Sequence, residues 1–158
     1  MTRLSSIINA RLIDTVGEHG GSLSISGDRI IESAFSEDAF DAKGAFVAPG
    51  IVDLGVFAVD KAAFIAGGIT RVALMPDQSP VLDDPGPVQR AALAAKPDLW
   101  VHPLGAATRG LEGKELAEYA LMARTGAKAI ATGRAWIADS GVMLRVLLAF
   151  FGSASKQK

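Results

Sequence analysis

The chain has 158 residues, 49% of them hydrophobic and 21% charged, with 17 Gly, 7 Pro and no Cys. This is a globular composition able to bury roughly 70% of the surface its unfolded chain exposes, which excludes disordered, collagen-like and disulfide-stapled classes. Lys and Arg number 16 against 17 Asp and Glu, a net charge of -1, so neither nucleic acid nor an anionic membrane is an expected partner, and without Cys there is no thiol nucleophile or Cys-zinc site.

The first fifty residues read as short strands and turns. Ser6 to Leu12 is rich in β-branched residues. Gly20-Gly21 predicts a turn, and Ser22 to Ser26 alternates polar and apolar, the pattern of a half-buried strand. Gly27-Asp28 predicts a hairpin turn into a strand from Arg29 to Ser33. Ser36 to Asp41 reads as a loop and Gly44 to Val47 as a further short strand. Residues 1–48 are expected to form a small β-sandwich-like domain.

From Ala48-Pro49-Gly50 the rhythm changes. Ile51 to Val56 is a continuous apolar run, expected to be buried on both faces. Val59 to Ala66 predicts a helix stopped by Gly67-Gly68. A second strand spans Thr70 to Leu74, and a helix spans Pro87 to Ala95. Leu99 to His102 predicts the third strand, with His102 at its end. Leu116, Tyr119, Ala120 and Ala123 share one face of a helix predicted over Gly113 to Arg124. Ala127 to Ala131 is a fourth strand, and Ser140 is the expected cap of a helix over Gly141 to Phe151. Four βα units imply a parallel sheet. A closed eight-fold barrel needs ~250 residues, so residues 49–152 predict an α/β fold of about half a (β/α) barrel, followed by a polar tail over 153–158. Met1 to Ala10 does not read as a signal peptide, and no run approaches the ~18 apolar residues of a membrane span. The expected location is the cytoplasm.

Several ordered motifs carry a family resemblance. Ile8-Asn9-Ala10-Arg11-Leu12-Ile13-Asp14, Gly27-Asp28-Arg29-Ile30 and Ala48-Pro49-Gly50-Ile51-Val52-Asp53 resemble the start of cyclic amidohydrolases. Ala66-Gly67-Gly68-Ile69-Thr70, Met75-Pro76-Asp77, Pro80-Val81-Leu82-Asp83-Asp84-Pro85 and the block from Pro103 to Leu116 narrow the resemblance to dihydroorotases. It runs from about Ser6 to Phe150.

The resemblance implies metal-assisted hydrolysis and closure of a cyclic amide in pyrimidine synthesis, with zinc polarising the carbonyl and activating water. Its first metal site is a His-x-His pair after Pro-Gly-x-x-Asp, two imidazoles on one side of a strand. Here those positions hold Gly55 and Phe57. The substrate-binding Arg that usually follows has no counterpart near Val59. Asp77 stands where the family usually has a substrate-binding Asn, and Ile130 to Arg134 offers no acidic ligand. The resemblance thus implies the fold while arguing against the activity: no catalytic residue and no bound metal are expected.

Asp53, Asp77 and His102 are the residues left to line a vestigial pocket. Each also has a plainer reading: Asp53 a hydrogen-bonded strand residue, Asp77 a turn residue, His102 a structural histidine without a second His nearby. Asp83 and Asp84 read as a turn and as partners of a helix N-terminus, and Lys114 with Glu115 and Glu118 as a solvated helix face. No phosphate loop, dinucleotide fingerprint, His-Glu-x-x-His or Gly-x-Ser-x-Gly is present. The favoured reading is a non-catalytic dihydroorotase-like protein that acts as a structural partner of aspartate carbamoyltransferase. The alternatives are a residual cyclic amidohydrolase and a non-functional fragment. Unpaired strand edges at Ile51 and Ala127, with the apolar helix Leu144 to Phe151, predict homo-oligomerisation.

Overall fold

The computed structural model describes residues 5–31 and 39–154, with side chains at 6–31 and 39–150. The chain divides into two compact units, Met1–Pro49 and Gly50–Lys158.

In the first unit β1 (Ser5–Ile13) pairs antiparallel with β2 (Glu18–Ser26), which pairs with β3 (Arg29–Ile31). The other edge of β1 is lined by two short parallel strands, β4 (Ala39–Asp41) and β5 (Phe46–Val47). The described residues of this unit form one five-stranded sheet, separate from the strands that follow. Its core is small: Ala10, Leu12 and Ala42, with Ile7, Leu23 and Val47 packed against them. The loop expected over Ser36 to Asp41 contains β4, while 36–38 and the strand end expected at 32–33 lie outside the described residues. Gly20-Gly21 is not a turn. Both lie in β2, Gly21 opposite Ala10, where a Cβ would come within 2.9 Å of Leu12 Cδ1. The glycine clears space for a core leucine instead of bending the chain. The turn between β1 and β2 is made at Asp14, whose Oδ1 accepts from the N–H groups of Val16 and Gly17 at 2.7 and 3.2 Å.

The second unit is a four-stranded parallel sheet in the order β6 (Ile51–Val56), β7 (Ile69–Leu74), β8 (Trp100–Ala106), β9 (Ala129–Ala131). Helices α1 (Lys61–Ala66), α2 (Pro85–Leu93) and α3 (Tyr119–Thr125) connect successive strands, and α4 (Ser140–Ala154) follows β9. This is the predicted half barrel. Its core lies between the sheet and the helices: Val72, Leu74 and Val101 meet Val88, Leu99, Met122, Tyr119 and Val146. Gly50, in the motif that opens this unit, passes directly over the Thr70 side chain, and a Cβ there would overlap Thr70 Cγ2 and Oγ1. That close approach is the physical reason for a glycine in Ala48-Pro49-Gly50.

Four expectations change. β6 is not buried on both faces: Ile51, Val52 and Leu54 are 56%, 51% and 79% exposed, because β6 is an edge strand and α1 buries none of its residues. Helix α2 starts at Pro85, two residues early, because Asp84 is its N-cap and accepts from Gly86 N–H at 3.1 Å. Helix α3 starts at Tyr119, not Gly113. Residues before it are held in a loop by the Thr108–Leu116 bridge, by Gly113 N–H on Thr108 Oγ1 (3.0 Å) and by Arg109 N–H on Glu115 C=O (2.9 Å). Finally, Asp139 and not Ser140 caps α4, accepting from Val142 N–H at 3.0 Å, and the helix runs into the expected tail as far as Ala154. No helix among the described residues is long and apolar enough to cross a membrane.

Candidate functional site

In parallel βα folds functional groups gather where strands end at their carboxyl termini. Four segments reach that end here: Phe57 after β6, Pro76-Asp77-Gln78 after β7, Ala107-Thr108 after β8 and Gly133-Arg134 after β9. Backbone bonds hold the segments in step. Met75 N–H donates to Val56 C=O at 2.8 Å, and Ala107 N–H to Ala131 C=O at 2.9 Å. The Gln78 amide clamps the first two strands by donating to Phe57 C=O (3.1 Å) and Met75 C=O (3.0 Å).

Asp77 crosses the mouth of the sheet. Its Oδ1 accepts from Arg134 N–H at 2.9 Å. Its Oδ2 is buried, with no hydrogen-bond partner among the described residues. Gly133, at φ +70°, lies so close that a Cβ would come within 2.8 Å of both carboxylate oxygens. Only glycine suits both that backbone and that contact. The loop after β9 is thereby pinned, and the Arg134 guanidinium lies 3.9 Å from the centroid of the Phe57 ring. The stack is a cation–π contact.

The positions to which the resemblance assigns a His-x-His pair hold Gly55, which has no side chain, and Phe57, whose ring faces a guanidinium. Neither has a lone pair to offer a metal, and Arg134 brings a fixed positive charge to the same spot. Among the described residues no group of three His, Asp or Glu side chains could hold a metal ion. The donor set at this mouth does not fit the zinc chemistry of the family.

The three residues expected to line a pocket are not brought together. Asp77 is at the mouth. Asp53 lies within β6 and its Oδ1 accepts from Gly55 N–H at 3.0 Å, which satisfies the strand locally. His102 is not at the end of its strand, since β8 continues four residues further to Ala106. Its Nε2 is 3.5 Å from Arg71 Nη1. Partial burial, then the charges of Arg71, Lys128 and Lys96, push the imidazole below its ordinary pKa and favour the neutral ring. Asp83 is neither spare nor a helix partner: its Oδ2 accepts from Gly110 N–H at 2.7 Å. Lys114 is in the loop before α3 and pairs with Glu112 at 3.2 Å. The residue that sequence reading passed over is Arg134. Its one local signal is the preceding Gly133 directly after a short strand, which marks a backbone that turns back over the sheet.

Comparison with known proteins agrees with this architecture. No family model matches the chain. A dihydroorotase-like protein of Pseudomonas putida is 33% identical over 90% of the chain, and a dihydroorotase of Pelotomaculum thermopropionicum is 34% identical over 70% of it. The chain spans 39% and 29% of the length of those two relatives. Among solved structures, the L-hydantoinase (dihydropyrimidinase) of Arthrobacter aurescens superposes on 97% of the chain with a TM-score of 0.76 at 18% identity, covering 39% of that protein. The N-acyl-D-glutamate deacylase of Bordetella bronchiseptica superposes on 90% of the chain with a TM-score of 0.61 at 20% identity, covering 42% of it. Sequence identity along most of the chain makes it dihydroorotase-like over the part of those relatives that it spans, and the solved structures share its half-barrel fold.

Proposed function

We propose that this chain is a non-catalytic dihydroorotase-like protein, and that it works in the cytoplasm as a structural partner of aspartate carbamoyltransferase in pyrimidine biosynthesis, itself self-associating. The observation that carries the first part is the Phe57–Arg134 stack at the position of the family's metal ligands. Two imidazoles are replaced by a hydrogen and a phenyl ring, and a guanidinium covers the ring. Hydrolysis of a cyclic amide needs an activated water and a stabilised oxyanion. That Asp77 Oδ1 is already bonded to the Arg134 backbone supports the non-catalytic reading. What supports self-association is exposed apolar surface on the second unit, at Leu144, Leu147 and Leu148 on α4.

Two measurements test the reading. The purified chain is dialysed against zinc, its metal content determined and dihydroorotase activity assayed, in parallel with the Gly55→His/Phe57→His double variant. The space beyond Gly55 is open for 4 Å around an added Cβ, so the first imidazole fits. The unaltered chain is expected to hold no stoichiometric zinc and to show no activity, and the double variant to gain zinc affinity. Stoichiometric zinc with activity in the unaltered chain overturns the non-catalytic reading in favour of a residual cyclic amidohydrolase. Light scattering on a sizing column, with the chain alone and mixed with aspartate carbamoyltransferase, tests the partnership. A mixed complex is expected, and its absence overturns the partnership.

A further inference from the structure

The face of the four-stranded sheet turned away from the helices carries charge as well as apolar surface. Val72, Leu74 and Val101 belong to the helix-side core, so the alternate residues Arg71, Ala73, Trp100 and His102 look the other way. Parallel register sets Arg71 beside Trp100 and Ala73 beside His102. The Arg71 guanidinium carbon is 5.5 Å and Lys96 Nζ 4.6 Å from the Trp100 ring centroid. Lys128, just before β9, donates its backbone N–H to Pro103 C=O at 3.0 Å, one residue beyond His102. Two full positive charges, Arg71 and Lys96, thus flank one indole, with the His102 imidazole 3.5 Å from Arg71, in a chain whose net charge is -1. Among the described residues none of the three cations has an acidic partner within ion-pair distance. The one acidic residue of the four strands, Asp53, is in register with Val72, a helix-facing position. Val52, opposite Arg71, and Leu54 add exposed apolar surface, and Trp100 is itself 44% exposed. At the two ends of the sheet β6 and β9 each pair with a single strand.

We infer that this face is a docking surface for a different polypeptide chain, one that sets acidic side chains against Arg71, Lys96 and Lys128 and apolar ones against Val52, Leu54 and Trp100. A second copy fits the edges but not the charge. A two-fold axis along the strands would pair β9 of each copy with β6 of the other, yet it would enclose two identical cationic clusters in an interior only wide enough for packed side chains. Uncompensated like charges in such a space are unfavourable, whereas a carboxylate from another chain satisfies them and fixes the docking register. The inference does not rest on the identity of the partner. It survives a failed complex with aspartate carbamoyltransferase, and it leaves self-association through α4 untouched.

The test uses a copy of the chain with the charge reversed, Arg71→Glu/Lys96→Glu/Lys128→Glu. All three side chains are exposed, and circular dichroism checks that the variant folds. This copy keeps the edges of β6 and β9 and carries carboxylates where the partner should have them. Light scattering compares each protein alone with their equimolar mixture. The mixture is expected to contain a species about twice the mass of either protein alone, dispersed at about 1 M salt, where screening acts within about 3 Å. A mixture whose mass equals that of its components overturns the inference. So does a wild-type chain whose own association is abolished by the three substitutions, since a second copy would then be the occupant. Should the variant not fold, the probe is a blocked heptapeptide alternating valine and glutamate, against its valine–lysine counterpart. The readout is Trp100 emission in a Trp136→Phe background. At least tenfold tighter binding of the glutamate peptide supports the inference. Equal binding of the two peptides overturns it, and so does an equal response to inorganic phosphate, which would make this a small-anion site.

Discussion

Removing one hydroxyl at Tyr119 tests how the core of the second unit is held. The ring is 7% exposed and belongs to the core cluster, so Tyr119→Phe keeps the packing. What is lost is the bond from the phenolic hydroxyl to Ala107 C=O, 2.5 Å long and buried. That carbonyl also accepts from Ala117 N–H at 3.3 Å, so it is not orphaned. The expected cost is therefore the net worth of one neutral buried hydrogen bond, about 1 kcal/mol. Alkaline pH adds a second signature. Burial pushes the Tyr119 pKa up to about 12, against about 10 in the unfolded chain. A raised folded pKa contributes stability that is complete below pH 10 and lost as pH rises through 12, because the unfolded chain ionises first. At about pH 11 that linkage removes about 1.4 kcal/mol from the wild type and nothing from the variant. The two stabilities should differ by about 1 kcal/mol near neutrality and meet near pH 11. Urea unfolding at a series of pH values measures both. Because the chain has a single Tyr, tyrosinate absorbance reports its titration directly. A native titration near pH 10 would refute the burial argument. A loss above about 3 kcal/mol would mean that the Ala107 carbonyl is left without a partner.

Three further outcomes follow from the same geometry. Gly105→Ala places a Cβ within 2.9 Å of Met122 Cε and 3.0 Å of Ile130 Cδ1, and thermal unfolding should show a loss of about 1–3 kcal/mol from overpacking. Asp84→Ala removes the cap from Gly86 N–H at the start of α2 and should cost about 1 kcal/mol in urea unfolding. The lowered pKa of His102, caused first by burial and then by Arg71, Lys128 and Lys96, makes the unfolded chain bind the proton first. Stability should therefore fall as pH drops below about 6.5, and His102→Gln should flatten that part of the curve relative to the wild type.

Most of the second unit was legible because its elements are short and locally marked. Gly67-Gly68 ends α1, the prolines at 85 and 87 mark the start of α2 to within two residues, and a β-branched run makes β7. Errors arose where a local signal had two physical uses. Gly20-Gly21 reads as a turn, but Gly21 serves to admit Leu12. The spacing of Leu116 with Tyr119 and Ala123 reads as a helix, yet Leu116 packs against the core from a loop held by Thr108. The apolar run Ile51 to Val56 looks interior, but burial depends on what lies beyond an edge strand, which no window of sequence records. At the candidate site the residue types Gly55 and Phe57 could be read directly. That Arg134 takes up the space could not, because residues 57 and 134 meet only once β6 and β9 stand in one sheet.

The sequence by itself determined the alternation of strands and helices in the second unit, the half barrel, the family resemblance and which residue types stand at positions 55 and 57. These depend on residue type and on local periodicity. Tertiary structure alone decided that Asp77 pins the loop of Arg134 and that Arg71 and Lys96 converge on Trp100, with His102 beside Arg71. Those residues come from separate segments, and parallel register with long connections, not sequence spacing, sets which of them become neighbours.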